Sequence, residues 1–161
     1  MKKGELVVLV AIGVLVTGAV VRAVLQKPAR GDREIPFYST ARGDLANSAT
    51  DLVRKYSCRQ CHSLWTTRDP LQAVPAPMLD GIGSLRSEEW LYAYLSAGNP
   101  QSILPSRLKP EYRMPSYSHL SDAQRHTLAS YLASLRVKDW YLEQTRRLEH
   151  DKLTGEDTAE K

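Results

Sequence analysis

The stretch "SCRQCHSL", Ser57 to Leu64, decides how this sequence is interpreted. It places two cysteines three positions apart, with a histidine directly after the second one. Cys58 and Cys61 are the only cysteines in the 161 residues, so a framework of several disulfides is excluded. A zinc site, a thiol–disulfide pair and the covalent attachment of a cofactor are the three functions to be weighed for such a motif.

The zinc and thiol–disulfide interpretations lack the partners that each requires. A structural zinc site needs four ligands, but no second cysteine pair exists, and His119 and His126 lie seven positions apart. A thioredoxin-like pair is expected in a β-α-β context, and no run of alternating apolar and polar residues follows the N-terminal segment. These two interpretations are therefore not favoured.

Cys-X-X-Cys-His is the attachment motif of c-type haem. The two thiols form thioether bonds to the two vinyl groups of the haem, and the adjacent histidine is then placed under the iron as its proximal ligand. The motif predicts one covalently attached haem c, bound through Cys58 and Cys61, with His62 as a metal ligand.

The second axial ligand is predicted from the methionines. An electron carrier needs a strong second ligand, and methionine opposite histidine raises the reduction potential. Met78 follows His62 by only sixteen residues, which is too few to cross easily to the other haem face. Met114 follows by fifty-two, in the polar loop "EYRMPSY", where Pro115 restricts it to extended backbone. We predict Met114 as the ligand, with His119 as a rival that would give a lower potential.

The N-terminus predicts attachment to a membrane. Residues 6–21, "LVVLVAIGVLVTGAVV", contain no charge in sixteen positions. Arg22 can extend its guanidinium to the headgroups, so lipid would be contacted through residues 6–25. We predict that residues 1–25 form a single-span anchor or uncleaved signal sequence. The small residues at 21–23 leave cleavage by signal peptidase as the alternative.

The remainder divides into a linker, a domain and a tail. Residues 26–47 are rich in Pro, Gly, Arg and Asp without a sustained period and predict a linker. Residues 48–136 carry apolar residues at helical spacing in three segments, so the domain is predicted to be all-α. Each segment opens with a serine as a possible cap: Ser48, Ser87 and Ser121. Residues 137–161 begin helically, and their last eight or so residues are predicted to be disordered.

The charge of the chain argues against a nucleic-acid partner. The net charge is +4, and the basic residues are scattered among acidic neighbours rather than forming a dense stripe with aromatic residues. Four cations lie near the two predicted haem-binding segments: Arg59, Arg107, Lys109 and Arg113. They would either guide an acidic redox partner, balance the haem propionates or simply keep the surface soluble. The sequence leaves these open.

These residues resemble the class I c-type cytochromes over about residues 46–136. The likeness comprises a helix leading into Cys-X-X-Cys-His, a "PMLDGIG" turn, a middle helix, a Met-Pro loop and a last helix ending in "YLASL". The resemblance implies the all-α class I cytochrome c fold, here behind a single N-terminal transmembrane helix. It implies an electron carrier rather than an enzyme. It also implies that the carbonyl of Pro77 accepts a hydrogen bond from Nδ1 of His62, which would orient the ligand.

The Met loop, "NPQSILPSRLKPEYRMPSYSHL", also resembles that of the membrane-anchored monohaem subunit of cbb-type cytochrome oxidases. A comparable loop occurs in monohaem subunits of sulfur-oxidising complexes. The resemblance implies a single-pass protein of the bacterial inner membrane, with the haem domain on the periplasmic side. The predicted function is electron transfer in a respiratory chain, with redox proteins as partners, either as a tethered shuttle or as a subunit of an oxidase or dehydrogenase complex. A haem-based sensor or peroxidase with a labile ligand is the alternative, and a thiol oxidoreductase is a third class.

Overall fold

The structure is a computed structural model that describes residues 3–25, 34–67 and 74–156. It divides into two compact units, one ending at Glu34 and one beginning at Ile35. The first unit contains helix α1 (Lys3–Leu25). The elements of the second are β1 (Phe37–Ser39), α2 (Gly43–Lys55), α3 (Glu88–Ser96), α4 (Asp122–Ser134), β2 (Leu135–Val137) and α5 (Asp139–Thr154).

Helix α1 covers the apolar run of the N-terminus. Several of its large apolar side chains are exposed: Ile12, Val14, Leu15, Val16 and Val21. Within the described residues, no helix has the length and hydropathy that crossing a membrane requires. The anchor stays a prediction.

Helix α4 is the centre of the second unit, because both α2 and α3 pack against it. Its apolar residues recur at helical spacing and are removed from solvent, which supplies the main stabilisation of a small helical domain. The helices contribute these buried residues: Ala49 and Val53 from α2, Leu91 and Leu95 from α3, and Leu128, Ala129, Tyr131 and Leu132 from α4.

Two of the three predicted helix caps are confirmed. The hydroxyl of Ser87 accepts the N–H of Trp90, and α3 begins at the next residue, Glu88. Ser121 caps α4 in the same way, and Gln124 returns a bond to the N–H of Ser121, which completes a capping box. These ends are local features of the sequence, so they could be recognised without knowledge of the packing.

The third cap and the end of the linker differ from the prediction. Helix α2 begins at Gly43, five residues before Ser48, and Arg42 at its start makes no side-chain capping bond. The reason is packing, because Leu45 and Ala46 lie against the core and extend the helix backwards. Of the linker predicted over 26–47, residues 26–33 lie outside the described residues, and the remainder belongs largely to the folded unit.

The second unit is mostly helical, in agreement with the all-α prediction, and contains one short two-stranded sheet that was not predicted. Strands β1 and β2 pair antiparallel, with Phe37 opposite Val137 and Ser39 opposite Leu135. Three residues are too few to show the alternation by which strands are recognised, and β1 falls within the predicted linker. The sheet joins the start of the unit to the end of α4.

The predicted tail contains β2's last residue and helix α5. The helix ends at Thr154, and Gly155 follows with a φ of 80°, the left-handed conformation typical of a glycine after a helix. The disorder predicted for the last eight or so residues falls mostly on residues 157–161, which lie outside the described residues.

Candidate cofactor site

The cysteine motif forms one compact turn after α2. Ser57 adopts the left-handed conformation (φ 54°, ψ 32°) and turns the chain into a 3₁₀ turn over Cys58–Gln60. The carbonyl oxygen of Cys58 accepts the N–H of Cys61 at 3.3 Å and that of His62 at 3.0 Å. The turn therefore brings both thiols and the imidazole to the same wall of one cavity.

His62 is half-buried and is oriented by a single strong partner. Its Nδ1 lies 2.7 Å from the carbonyl oxygen of Pro77, which can only accept, so Nδ1 carries the proton. Burial lowers the pKa of His62, which favours the neutral imidazole although the bond to Pro77 acts in the opposite direction. Nε2 is then the ring nitrogen left to bind a metal ion.

Asp80 holds the loop that follows His62, and sequence reasoning missed it. Trp65 and Thr66 have left-handed φ values of 55° and 56°, and their N–H groups donate to the Asp80 carboxylate at 2.5 and 3.3 Å. Burial raises the pKa of Asp80, while these two hydrogen bonds lower it. Trp65 also donates from Nε1 to the Tyr131 hydroxyl at 3.1 Å, which ties the loop to α4. The position of Asp80 before a glycine was the only signal in the sequence.

Met114 reaches the cavity from the loop between α3 and α4. Two 3₁₀ turns, Pro100–Ser102 and Pro110–Tyr112, shape that loop, and each begins with a proline. The side-chain amide of Gln101 donates to the carbonyl oxygen of Met114 at 3.0 Å. Met114 is half-buried and packs against the core. Its backbone is thus held on one side by Gln101 and on the other by Pro115.

One cavity brings the predicted site residues together. Cys58, Cys61, His62, Pro77 and Met114 all line it. The remaining walls are largely apolar and include these residues of the helical core: Val53, Ile82, Leu91, Leu95, Leu128 and Leu132. The cavity can therefore hold a large apolar group, with two thiols, an imidazole and a thioether as its reactive donors.

The rival axial ligands do not reach this cavity. Met78, Met114 and His119 are all described, and of these Met114 alone lines it. His119 is exposed, and its ring lies 6.2 Å from the ring of Tyr56, which follows α2. Their placement favours Met114 as the second axial ligand, which stays a prediction.

The zinc and thiol–disulfide interpretations are not supported. In the described parts of the chain, no three His, Cys, Asp or Glu side chains form a group that could hold a metal ion. Burial raises the pKa of the Cys58 thiol, although a hydrogen bond with Tyr117 opposes this, whereas a reactive thiol needs a lowered pKa. Burial also raises the pKa of Tyr117 to about 12, so its hydroxyl stays protonated beside the sulfur.

Helix α5 contributes to the same cavity, which the sequence did not indicate. Glu149, Lys152 and Leu153 line the cavity. The Glu149 carboxylate lies 3.1 Å from the Arg86 guanidinium. Burial raises the pKa of Glu149, and the Arg86 charge opposes that shift.

The arrangement fits the covalent attachment of a haem through two cysteines. A family model, cytochrome c, matches residues 48–136, which is more than half of the chain and coincides with the predicted domain. The chain belongs to the cytochrome c family. Its cofactor is covalently attached haem c, and the one Cys-X-X-Cys-His motif provides for one haem. Its function is haem-based electron transfer, as in a family whose members are generally electron carriers rather than enzymes. Neither the curated proteins nor the solved structures contain a match to this chain.

Proposed function

We propose that this protein is a membrane-tethered monohaem cytochrome of a respiratory chain, with His62 and Met114 as axial ligands. The observation that best supports this proposal is that Met114 lines the same cavity as both cysteines and His62, whereas Met78 and His119 do not. When bound, the haem supplies a one-electron iron couple, and a methionine ligand raises its potential.

Residues of the chain would hold the two axial ligands in place and shield the haem from water. Pro77 orients the imidazole of His62, so the ligand does not turn when the charge of the iron changes. Gln101 fixes the backbone of Met114, which keeps the sulfur in place. The apolar walls exclude water, and burial of a redox centre is one of the means by which a protein sets its potential.

The ligand assignment is tested by the optical spectrum of the oxidised protein. Met114→Ala is expected to abolish the weak far-red band of sulfur-to-iron bonding completely. Met78→Ala is the matched control, because Met78 is also half-buried but does not line the cavity, and it should keep the band. A low-spin haem without the band in the wild type would point to His119. A high-spin wild type that binds carbon monoxide would favour a sensor or peroxidase.

Tethering is supported by the sixteen uncharged positions of residues 6–21 and by the exposed apolar side chains of α1. We expect the wild type to stay with the membrane fraction after an alkaline wash and to need detergent for release. Replacing both Ile12 and Val16 with aspartate should move most of the protein to the soluble fraction, because charges in an apolar span are costly. Gly18→Ala, with no described atom within 4 Å, is the control and should stay bound.

The proposal also includes the location of the haem domain, on the periplasmic side of the inner membrane, and redox proteins as its partners. Both rest on the likeness of the Met loop to monohaem subunits of respiratory complexes and on haem attachment outside the cytoplasm.

Release of the wild type by alkaline washing alone would contradict the tether. Extraction in mild detergent separates the two forms of the proposal, because a shuttle is recovered alone and a subunit is recovered with its complex.

A further inference from the structure

Helix α5 lies beyond residues 48–136, which the family model matches, yet it forms part of the haem cavity. It is held along the body of the unit at successive points. Near its start, the ring of Tyr141 packs edge-on against Phe37 of β1, with centroids 5.6 Å apart. One turn later, Thr145 is 2% exposed and lies against Gly81. The helix is therefore an integral wall of the domain rather than a loose tail.

The end of α5 meets the loop that carries Met114. A Cβ placed on Gly155 would lie 2.8 Å from Cζ of Arg107, so the guanidinium occupies the space that a side chain would need. The C-terminal end of a helix presents free carbonyl groups, which favour a nearby cation. Arg107 thus joins the Met loop to the last turn of α5.

The contacts of α5 concentrate charge at one place on an otherwise apolar cavity. Among the described residues, the formally charged side chains that line the cavity are Arg107, Glu149 and Lys152. Arg86, which pairs with Glu149 and lies over the Trp90 ring at 5.0 Å, completes this group. We call Arg86, Arg107, Glu149 and Lys152 the charged corner. Three cations and one carboxylate leave it two positive charges.

Haem carries two propionates, so it brings two negative charges into this cavity. An unpaired carboxylate against an apolar wall is destabilised or becomes protonated, whereas a nearby cation offers it a charge-assisted hydrogen bond. The charged corner has the sign and the number of charges that two propionates require. The other walls consist mainly of aliphatic and aromatic side chains.

We propose that Arg107 and Lys152 bind the two haem propionates, which makes α5 part of the haem site of this chain. Arg86 neutralises Glu149 and so prevents that carboxylate from repelling them. Both binding side chains are exposed, so they can adjust to the cofactor. The proposal rests on the haem c of the family and is independent of Met114 ligation and of the membrane.

The test is resonance Raman spectroscopy of the holoprotein, in which the bending bands of the propionates report their hydrogen bonds. Arg107→Met and Lys152→Met are each expected to shift these bands. Each should also lower the midpoint potential at pH 7, since loss of a nearby positive charge favours the oxidised iron. The double variant should show the sum of the two potential shifts.

Arg146→Met is the matched control. Arg146 is on α5 and is 58% exposed, pairs with Glu143 at 3.7 Å, and does not line the cavity. Its replacement should leave the propionate bands unchanged. Lys152→Arg and Arg107→Lys keep the charge and should keep bands near those of the wild type. The proposal is overturned if the propionate bands of both methionine variants coincide with those of the wild type. It is also overturned if the charge-conserving variants shift these bands as far as the methionine variants do.

Discussion

Replacing both Cys58 and Cys61 with serine is expected to give a chain without covalently attached haem. Each thiol would form one thioether, and a serine hydroxyl does not replace it. The haem signal of the band on a denaturing gel should fall from one haem per chain to background. Each single variant keeps one thioether, so it should retain the stain with a shifted spectrum of the pyridine complex.

The matched control for this experiment is Ser63→Ala, directly after the motif. Ser63 contributes its backbone carbonyl to the N–H of Leu79 at 2.9 Å, a bond that alanine preserves. Its haem content should equal that of the wild type. Haem that stays on the double variant through denaturation would contradict attachment at these two positions.

Gly83→Ala is expected to destabilise the domain by about 3 kcal/mol or more, at the upper end of the cost of overpacking. Gly83 lies in the 3₁₀ turn Ile82–Ser84, where a Cβ would lie 2.0 Å from the backbone carbonyl oxygen of Ala133 in α4. Backbone cannot move aside as a flexible side chain does, so the turn and α4 would have to separate. The measurement is the denaturant midpoint of the holoprotein at unchanged slope.

Gly98→Ala is the control for this substitution. Gly98 follows α3, and a Cβ there would have no described atom within 4 Å. Its free energy of unfolding should stay within about 0.5 kcal/mol of the wild-type value, as is usual for surface substitutions. Equal midpoints for the two glycine variants would show that the close approach of the turn to α4 is relaxed at little cost.

The turn around Gly83 also shows how His62, the predicted proximal ligand, is linked to the core. Arg136 of β2 donates to the carbonyl oxygen of Gly83 at 2.7 Å, and the N–H of Val137 donates to the Ser84 hydroxyl at 3.0 Å. The same segment begins at Pro77, which orients His62. A substitution at Gly83 is therefore expected to alter the orientation of His62 as well as the stability of the domain.

Features encoded within a few residues could be predicted from the sequence. The attachment motif is a contiguous chemical signature, and the caps at Ser87 and Ser121 depend on side chains and amides three residues apart. Met114 was predicted as the second ligand by its distance from His62 in sequence; it lines the cavity, and its ligation stays a prediction. The family match over 48–136 agrees with the predicted domain.

Features that depend on distant partners could not be predicted. The three-residue strands form only because β1 and β2 meet across the unit, and α2 extends to Gly43 because Leu45 packs on the core. In the sequence, Glu149 and Lys152 look like ordinary charged residues of a polar helix. Their neighbours in the chain do not indicate that they line a cavity. Asp80 is informative only when the left-handed residues Trp65 and Thr66 are seen beside it.

The walls of the cavity come from residues as far apart as Val53 and Leu153. Synthesis proceeds from the N-terminus, so Cys58, Cys61 and His62 are made long before the residues that enclose them. Among the described residues that line the cavity, Glu149, Lys152 and Leu153 of α5 come last in the chain. A chain shortened before α5 would lack this side of the cavity, although it would keep both cysteines and His62. The last helix thus completes, near the end of the chain, a cavity whose attachment motif lies in the first half of the sequence.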